Sequence, residues 1–259
     1  MTDIWSFLLQ TLTASGVAML LFAVKAVFWD KLSPRWQFAV WGVLAAVLLL
    51  PAGRDGRYVL TEWPLVVESL KSALTGEFGT LTDVAAPIPL PSFAAPQSAA
   101  DWVYLVYVAG VAFLLARYLV SYIRLRLALK RGRPARNGQI RAVAERYGLP
   151  VCPAVEVDGL PTAFICGVFK PVLALPAGVE TDDKVILHEL LHLKYKDVIW
   201  GWVIALLRCI HWCNPLLWVC AWWAGNDLES LCDQRVLERL EGEDRRDYGR
   251  ILLSMADEK

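Results

Sequence analysis

The sequence predicts a mainly α membrane protein, with three N-terminal transmembrane helices followed by a small α+β domain. Three observations predict it: the bulk composition, a series of long apolar stretches early in the chain, and a change to mixed polar patterning after a basic run near residue 124. Of the 259 residues, 56% are hydrophobic, 20% are charged and 12 are tryptophan. Soluble domains usually carry about 45–50% apolar and roughly 25% charged residues, so part of this apolar surface is expected to face lipid. The formal net charge is zero, which gives no support for a nucleic-acid partner.

The first stretch runs from Ile4 to Phe28, interrupted only by small polar residues and by Lys25, which can snorkel from the inner end. An N-terminal signal peptide is the rival reading, and the long apolar run, the acidic Asp3 and the missing small-residue cleavage site argue against it. The second stretch, Trp36 to Leu50, is bracketed by Pro34 and Pro51 and is short for a ~20-residue span, so crossing would require local thinning of the bilayer or recruitment of its flanks. The third, Trp102 to Ile123, has full length and an aromatic start.

Lys and Arg in the flanks set the orientation. Lys31 and Arg35 lie between the first two stretches. Arg124, Arg126, Lys130, Arg131, Arg133, Arg136 and Arg141 follow the third, with no acid among them. Between the second and third, Arg54, Arg57 and Lys71 are outnumbered by Asp55, Glu62, Glu68, Glu77 and Asp83. The expectation is a multi-pass protein of the cell membrane with its N-terminus outside. Residues 1–51 would hold two transmembrane helices with a short cytoplasmic connection, and 52–101 an extracytoplasmic loop ending in a Pro- and Ala-rich connector. Residues 102–130 would form the third helix with a basic flank that anchors to anionic lipid. Residues 131–259 would then be a domain at the cytoplasmic face.

In that domain Gln139 to Tyr147 is a helix candidate closed by Gly148 and Pro150, and Ala163–Val168 and Val172–Leu175 read as strands. A well-signalled helix follows, with Thr181 as N-cap, Asp182 and Asp183 in the first turn, and Lys194 and Lys196 in the last. The six cysteines show no CxxC spacing and none falls in the external loop, so they read as apolar packing residues.

The capped helix carries His188-Glu189-Leu190-Leu191-His192. Histidines four residues apart share a helix face, so both imidazoles can reach one zinc ion, and Glu189 sits where it can accept a proton from water at the metal. The chain has only three histidines, and this motif takes two of them. A zinc protease needs a third protein ligand, and no downstream histidine completes HExxHxxGxxH. Glu229, in Glu229-Ser230-Leu231-Cys232-Asp233, is the leading candidate, with Asp227 and Glu238 as weaker rivals. Asp233, one turn later, is spaced to hydrogen-bond a ligating histidine. Cys232 is expected to point off that face. His211 with Cys213 reads as an aromatic-rich packing site, and Tyr195 and His211 are the only residues suggested for oxyanion stabilisation.

Between the two halves lies an apolar run, 198–223, long enough to span a membrane. A single span would strand Glu229 on the side opposite His188. Asn214-Pro215 interrupts the run, and proline removes a backbone donor and restricts the residue before it. Two helices, about 198–212 and 215–238, are therefore expected to form a hairpin that dips toward the membrane and returns. The domain is then a small α+β zincin-type metallopeptidase domain with a broken, membrane-dipping helical hairpin.

The ordered set Gly167-Val168-Phe169-Lys170-Pro171-Val172-Leu173-Ala174-Leu175-Pro176, then His188-Glu189-Leu190-Leu191-His192 with Asp197, then Trp212, Asn214-Pro215, Trp218 and Glu229-Ser230-Leu231-Cys232-Asp233 resembles the BlaR/MecR family of membrane metallopeptidases. It covers roughly Pro150 to Leu240. The resemblance implies a gluzincin-type zinc site with His188, His192 and Glu229 as ligands, Glu189 as base and Asp233 behind a ligand. It also implies regulated proteolysis in signalling, of a transcriptional repressor or of the chain itself. Two departures stand out: no fourth spanning helix follows the site, and there is no external penicillin-binding sensor domain. The chain is thus expected to be a fragment or a short member, and beta-lactam sensing is not supported.

The partners this implies are a protein or peptide substrate, the lipid bilayer, a partner sensor protein and a second copy of the chain, without direct nucleic-acid contact. Two alternatives stand beside the protease: a non-catalytic membrane signal transducer that keeps the fold, and an HtpX/Ste24-like quality-control protease with the same HExxH and ExxxD logic. The Asn-Pro break and Phe169-Lys170-Pro171 favour BlaR/MecR over the latter. A channel or transporter is disfavoured, because only Lys25, Arg117 and Arg208 are charged within the apolar runs.

Overall fold

A computed structural model of the chain describes residues 4–28, 32–49, 99–135 and 137–257. Almost all of the expected extracytoplasmic loop lies outside the described residues, as does Lys31.

Helix α1 (Ile4–Phe28) matches its expected bounds, and α3 (Ala99–Arg131) overruns the expected Trp102–Ile123. Its 33 residues rise to about 50 Å, well past a ~30 Å hydrocarbon layer, so its basic end projects beyond the apolar part. Helix α2 (Pro34–Leu49) has 16 residues, about 24 Å. Among the described residues, two helices rather than three are long and apolar enough to cross a membrane, through the windows Thr11–Phe28 and Asp101–Arg131. Pro34, one of the two prolines that made the second stretch look short, opens α2, and Pro51 lies outside the described residues. One face of α2 buries Phe38, Trp41, Leu44 and Leu48 against its neighbours.

After α3 come β1 (Arg133–Pro134), α4 (Asn137–Tyr147), β2 (Ala154–Val157), β3 (Phe164–Cys166) and β4 (Val172–Pro176). The strands form one sheet in the order β1-β2-β4-β3. β2 runs parallel to β4 with Ala154 opposite Leu173, while β3 runs antiparallel to β4 with Ile165 opposite Leu173. β3 is shorter than expected because Gly167 follows it at φ +106°, a conformation other residues rarely adopt, and a Cβ there would meet the Lys170 carbonyl at 2.5 Å. As the outer strand, it has a partner on one side only.

Helix α5 (Asp183–Tyr195) packs on this sheet. Its N-cap is Asp182 rather than Thr181: the Asp182 carboxylate accepts from the Lys184 backbone N–H at 2.7 Å. Lys196, left-handed at φ 56°, stops α5 and turns the chain directly into α6 (Asp197–Ile210). Ile186, Leu187, Leu190 and Leu191 of α5 are fully buried against Leu173, against Ile140 of α4, and against Cys232 and Val236 of α7 (Pro215–Leu237). Helix α8 (Gly242–Asp257) closes this core with Tyr248. All six cysteines are free thiols, and only Cys213 is exposed, as expected of packing residues.

The apolar run after the site is a hairpin, as the Asn-Pro signal predicts. Asn214 caps α7 by accepting from the Leu216 N–H at 3.0 Å, and Pro215 occupies the first helical position. The 14 residues of α6 rise about 21 Å, and Pro215 to Glu229 rises about the same. Equal legs return the chain to the level of α5.

Helix α1 lies along α7 with the same polarity. Near the hairpin tip, the Asn214 amide donates to Ser15 Oγ at 2.6 Å, and His211 Nδ1 is hydrogen-bonded to Thr11 Oγ1 at 2.9 Å. Toward the other end, Lys25 pairs with Asp227, and Trp41 Nε1 donates to the same carboxylate. On the opposite side, α3 docks on the hairpin tip. Tyr107 Oη donates to the Ile210 carbonyl at 2.6 Å, and Gly110 lies so close to Trp212 that a Cβ would fall 2.5 Å from its ring.

Candidate metal centre

Helices α5 and α7 cross where Leu190, Leu191, Cys232 and Val236 interlock, and this contact presents His188, His192 and Glu229 to one point. The two Nε2 atoms are 3.0 Å apart, and Glu229 Oε2 lies 3.3 Å from His188 Nε2 and 3.5 Å from His192 Nε2. Tetrahedral zinc with ~2.0–2.1 Å bonds separates its donors by roughly 3.3–3.4 Å. Two imidazole nitrogens and a carboxylate oxygen at this spacing fit zinc.

Each histidine is held from behind through its other nitrogen. His188 Nδ1 lies 3.1 Å from Asp233 Oδ1 and 2.9 Å from Tyr248 Oη, and the Tyr248 hydroxyl donates to Asp233 at 2.7 Å. His192 Nδ1 lies 3.0 Å from Asp197 Oδ2, which also accepts from Arg235 Nη1 at 2.9 Å. Such carboxylate–histidine pairs fix the ring orientation and raise the basicity of the facing nitrogen. Burial alone would lower the pKa of either imidazole. Hydrogen bonds that His188 donates to Asp233 and His192 donates to Asp197, joined by Cys232 and Glu229, outweigh it and hold both well above the usual histidine range.

Glu189 is 8% exposed. Burial pushes its pKa up to about 7, against the pull of His188, His192 and a backbone hydrogen bond from Ile165 of β3. It therefore sits between the metal-side face of α5 and the outer strand, where a proton acceptor poised near neutrality is useful.

The structure thus brings His188, Glu189, His192, Glu229 and Asp233 together. Cys232 departs from expectation: instead of pointing off the face, its Sγ lies within 4.8 Å of donor atoms of both histidines and donates to the His188 carbonyl at 3.5 Å. Three residues past Glu229 is still the same helix face, and that spacing was the available signal. The weaker ligand rivals are used elsewhere: Asp227 holds Lys25, and Glu238 accepts from both sides of its carboxylate from Arg35, at 2.7 and 2.8 Å. Tyr195 is engaged with Arg239 and Arg235, and His211 sits at the hairpin tip, a full leg of the hairpin away. Asp197 carried no assigned role in the sequence beyond its place in the motif set. Tyr248 and Arg235 were missed: Tyr248 is 56 residues past His192, with no spacing that links the two.

A histidine pair on one helix, a carboxylate from a second, and a buried glutamate beside them define a metallopeptidase-like centre set against long apolar helices. The chain belongs to the BlaR1 peptidase M56 family, which matches residues 5–259. It is 27% identical over 171 residues to the regulatory protein BlaR1 of Bacillus licheniformis, covering 60% of this chain and 28% of that protein. It is 36% identical over 95 residues to the methicillin resistance mecR1 proteins of Staphylococcus aureus and Staphylococcus epidermidis, covering 34% of this chain and 16% of each relative. The chain therefore spans less than a third of the length of these relatives. Family membership implies a metal-dependent, membrane-associated peptidase fold.

Proposed function

We propose that this chain is a membrane-embedded zinc metalloendopeptidase, N-terminus outside, that cleaves a protein substrate at the cytoplasmic face in a signalling response. The substrate class is a transcriptional repressor or the chain itself. The observation that carries this reading is the mutual 3.0–3.5 Å spacing of the His188, His192 and Glu229 donor atoms beside buried Glu189. Arg35, in the connection expected inside, reaches Glu238 near the end of α7, which supports putting that connection and the site on one side. Equal hairpin legs support a dip into the membrane and back.

His188, His192 and Glu229 would hold the ion, which when bound supplies a Lewis acid for the scissile carbonyl and for water. Asp233 with Tyr248 and Asp197 with Arg235 orient the two imidazoles. Glu189 takes the proton from the attacking water and passes it to the leaving amine. β3, as outer strand beside Glu189, would hold an extended substrate by strand addition. A second reading is favoured by the regulatory name of one relative: a signal transducer that keeps the fold without cutting.

Metal content of the detergent-purified chain tests the reading, together with hydrolysis of unfolded peptides. Expected are about one zinc per chain, lost or weakened in Glu229→Ala, and a Glu189→Gln variant that keeps zinc and loses hydrolysis. Well-folded wild-type chain without zinc would overturn it. Zinc binding with no hydrolysis, even after the partner signal, would leave the transducer.

A further inference from the structure

Helices α2, α6 and α7 do not close fully on one another. Between them runs an apolar cleft walled by Phe38, Leu44 and Leu48 of α2, Trp200 and Leu207 of α6, and Ala221 of α7. From Phe38 to Leu48 it extends about 15 Å along α2. The one charged residue among its described lining residues is Arg208, at the end of the cleft far from the metal centre.

Among the described residues, Arg208 is a cation without an anion. Its guanidinium lies over the Trp218 ring at 4.3 Å, its Nε is buried without a hydrogen-bond partner, and among the described residues it makes no ion pair. The contrast with Lys25 is direct, since Lys25 has Asp227 within the same bundle. Intramembrane charges are costly and are normally paired. Cation–π contact with Trp218 offsets part of that cost and leaves the planar donor fork unused. That fork suits the bidentate geometry of a phosphate.

The apolar walls suit an acyl chain, which a soluble anion lacks and a bilayer amphiphile brings. We propose that the cleft binds one anionic phospholipid, its acyl chain between α2 and the hairpin and its phosphate on Arg208. The inference rests on the hairpin lying in the membrane and is independent of whether the metal centre is catalytic. The lipid completes the apolar packing of α2, the helix too short to be held by spanning.

Native mass spectrometry of the full chain released from neutral detergent tests this, with phosphatidylglycerol and phosphatidylcholine of matched acyl chains as probes. Wild-type chain is expected to retain one phosphatidylglycerol at least tenfold over phosphatidylcholine, and inorganic phosphate is expected not to displace it. Arg208→Gln should abolish the preference. Ala221→Phe, which fills the cleft and keeps the charge, should lower retention of both lipids and decides the matter if Arg208→Gln fails to fold. Arg124→Gln with Arg131→Gln, on the exposed basic end of α3, should leave the retained lipid unchanged. Equal retention of the two lipids, undiminished retention in Ala221→Phe, or loss only in the α3 variant would overturn the proposal.

Discussion

Replacing Lys25 by Met removes one member of the buried pair and leaves the other in place. Lys25 and Asp227 are 3% and 8% exposed at their side chains, and Trp41 is the remaining donor to the carboxylate. One indole N–H cannot replace an ammonium, so the variant keeps an under-compensated charge in an apolar core built from Phe38, Leu44 and Leu228. Removing one partner of a buried pair costs about 3–5 kcal/mol, whereas removing both and filling the space is often near neutral. The expected result is a loss of about 3–5 kcal/mol for Lys25→Met, with most of it regained in Lys25→Met/Asp227→Leu. Unfolding of the purified chain in mixed micelles with a rising fraction of denaturing detergent reads this, and the four variants of a double-mutant cycle isolate the coupling. The Arg35–Glu238 pair, 63% and 41% exposed, is the internal control and should yield no more than about 1 kcal/mol. A Lys25→Met cost in the range of that surface pair would refute the reasoning, because it would mean that water reaches Asp227.

Asp197→Asn keeps the shape behind His192 but removes the charge that orients it and pairs with Arg235. Zinc affinity measured against a competing chelator should fall by about 10–100-fold with helix content unchanged. Gly110→Ala places a Cβ 2.5 Å from the Trp212 ring and should cost about 1–3 kcal/mol as α3 is pushed off the hairpin tip. Tryptophan emission should shift red with it, and unaltered stability and emission would show that α3 does not dock at Gly110.

Where sequence reasoning succeeded, strong local signals agreed with one another. The HExxH helix has acidic residues at its start, basic residues at its end and an unbroken buried face, and only its cap moved, by one residue, to Asp182. The hairpin was legible because Asn214 and Pro215 combine a capping side chain with a missing donor, and because one metal site demanded a return. β1 and β2 were not legible: two and four residues are too few for any periodicity, and the pairing of Ala154 with Leu173 that makes β2 a strand is non-local. Tyr248 was invisible for a related reason, since only the packing of α8 on the core brings its hydroxyl to His188 and Asp233. The reading of α2 failed at its class. Its apolar content was evident, but whether such a helix faces lipid or protein depends on neighbours distant in sequence.

The shared polarity of α1 and α7 has a mechanical consequence. Their polar fastenings, Thr11 and Ser15 to the tip and Lys25 to Asp227, are set about 20 Å apart along the same axis. One fastening would act as a pivot, letting α1 swing without moving its neighbour. Two make a strut: α1 is coupled to α7 against both tilting and sliding. Glu229 stands two residues beyond the second fastening. A thrust along α1 would therefore be delivered to the helix that carries that carboxylate.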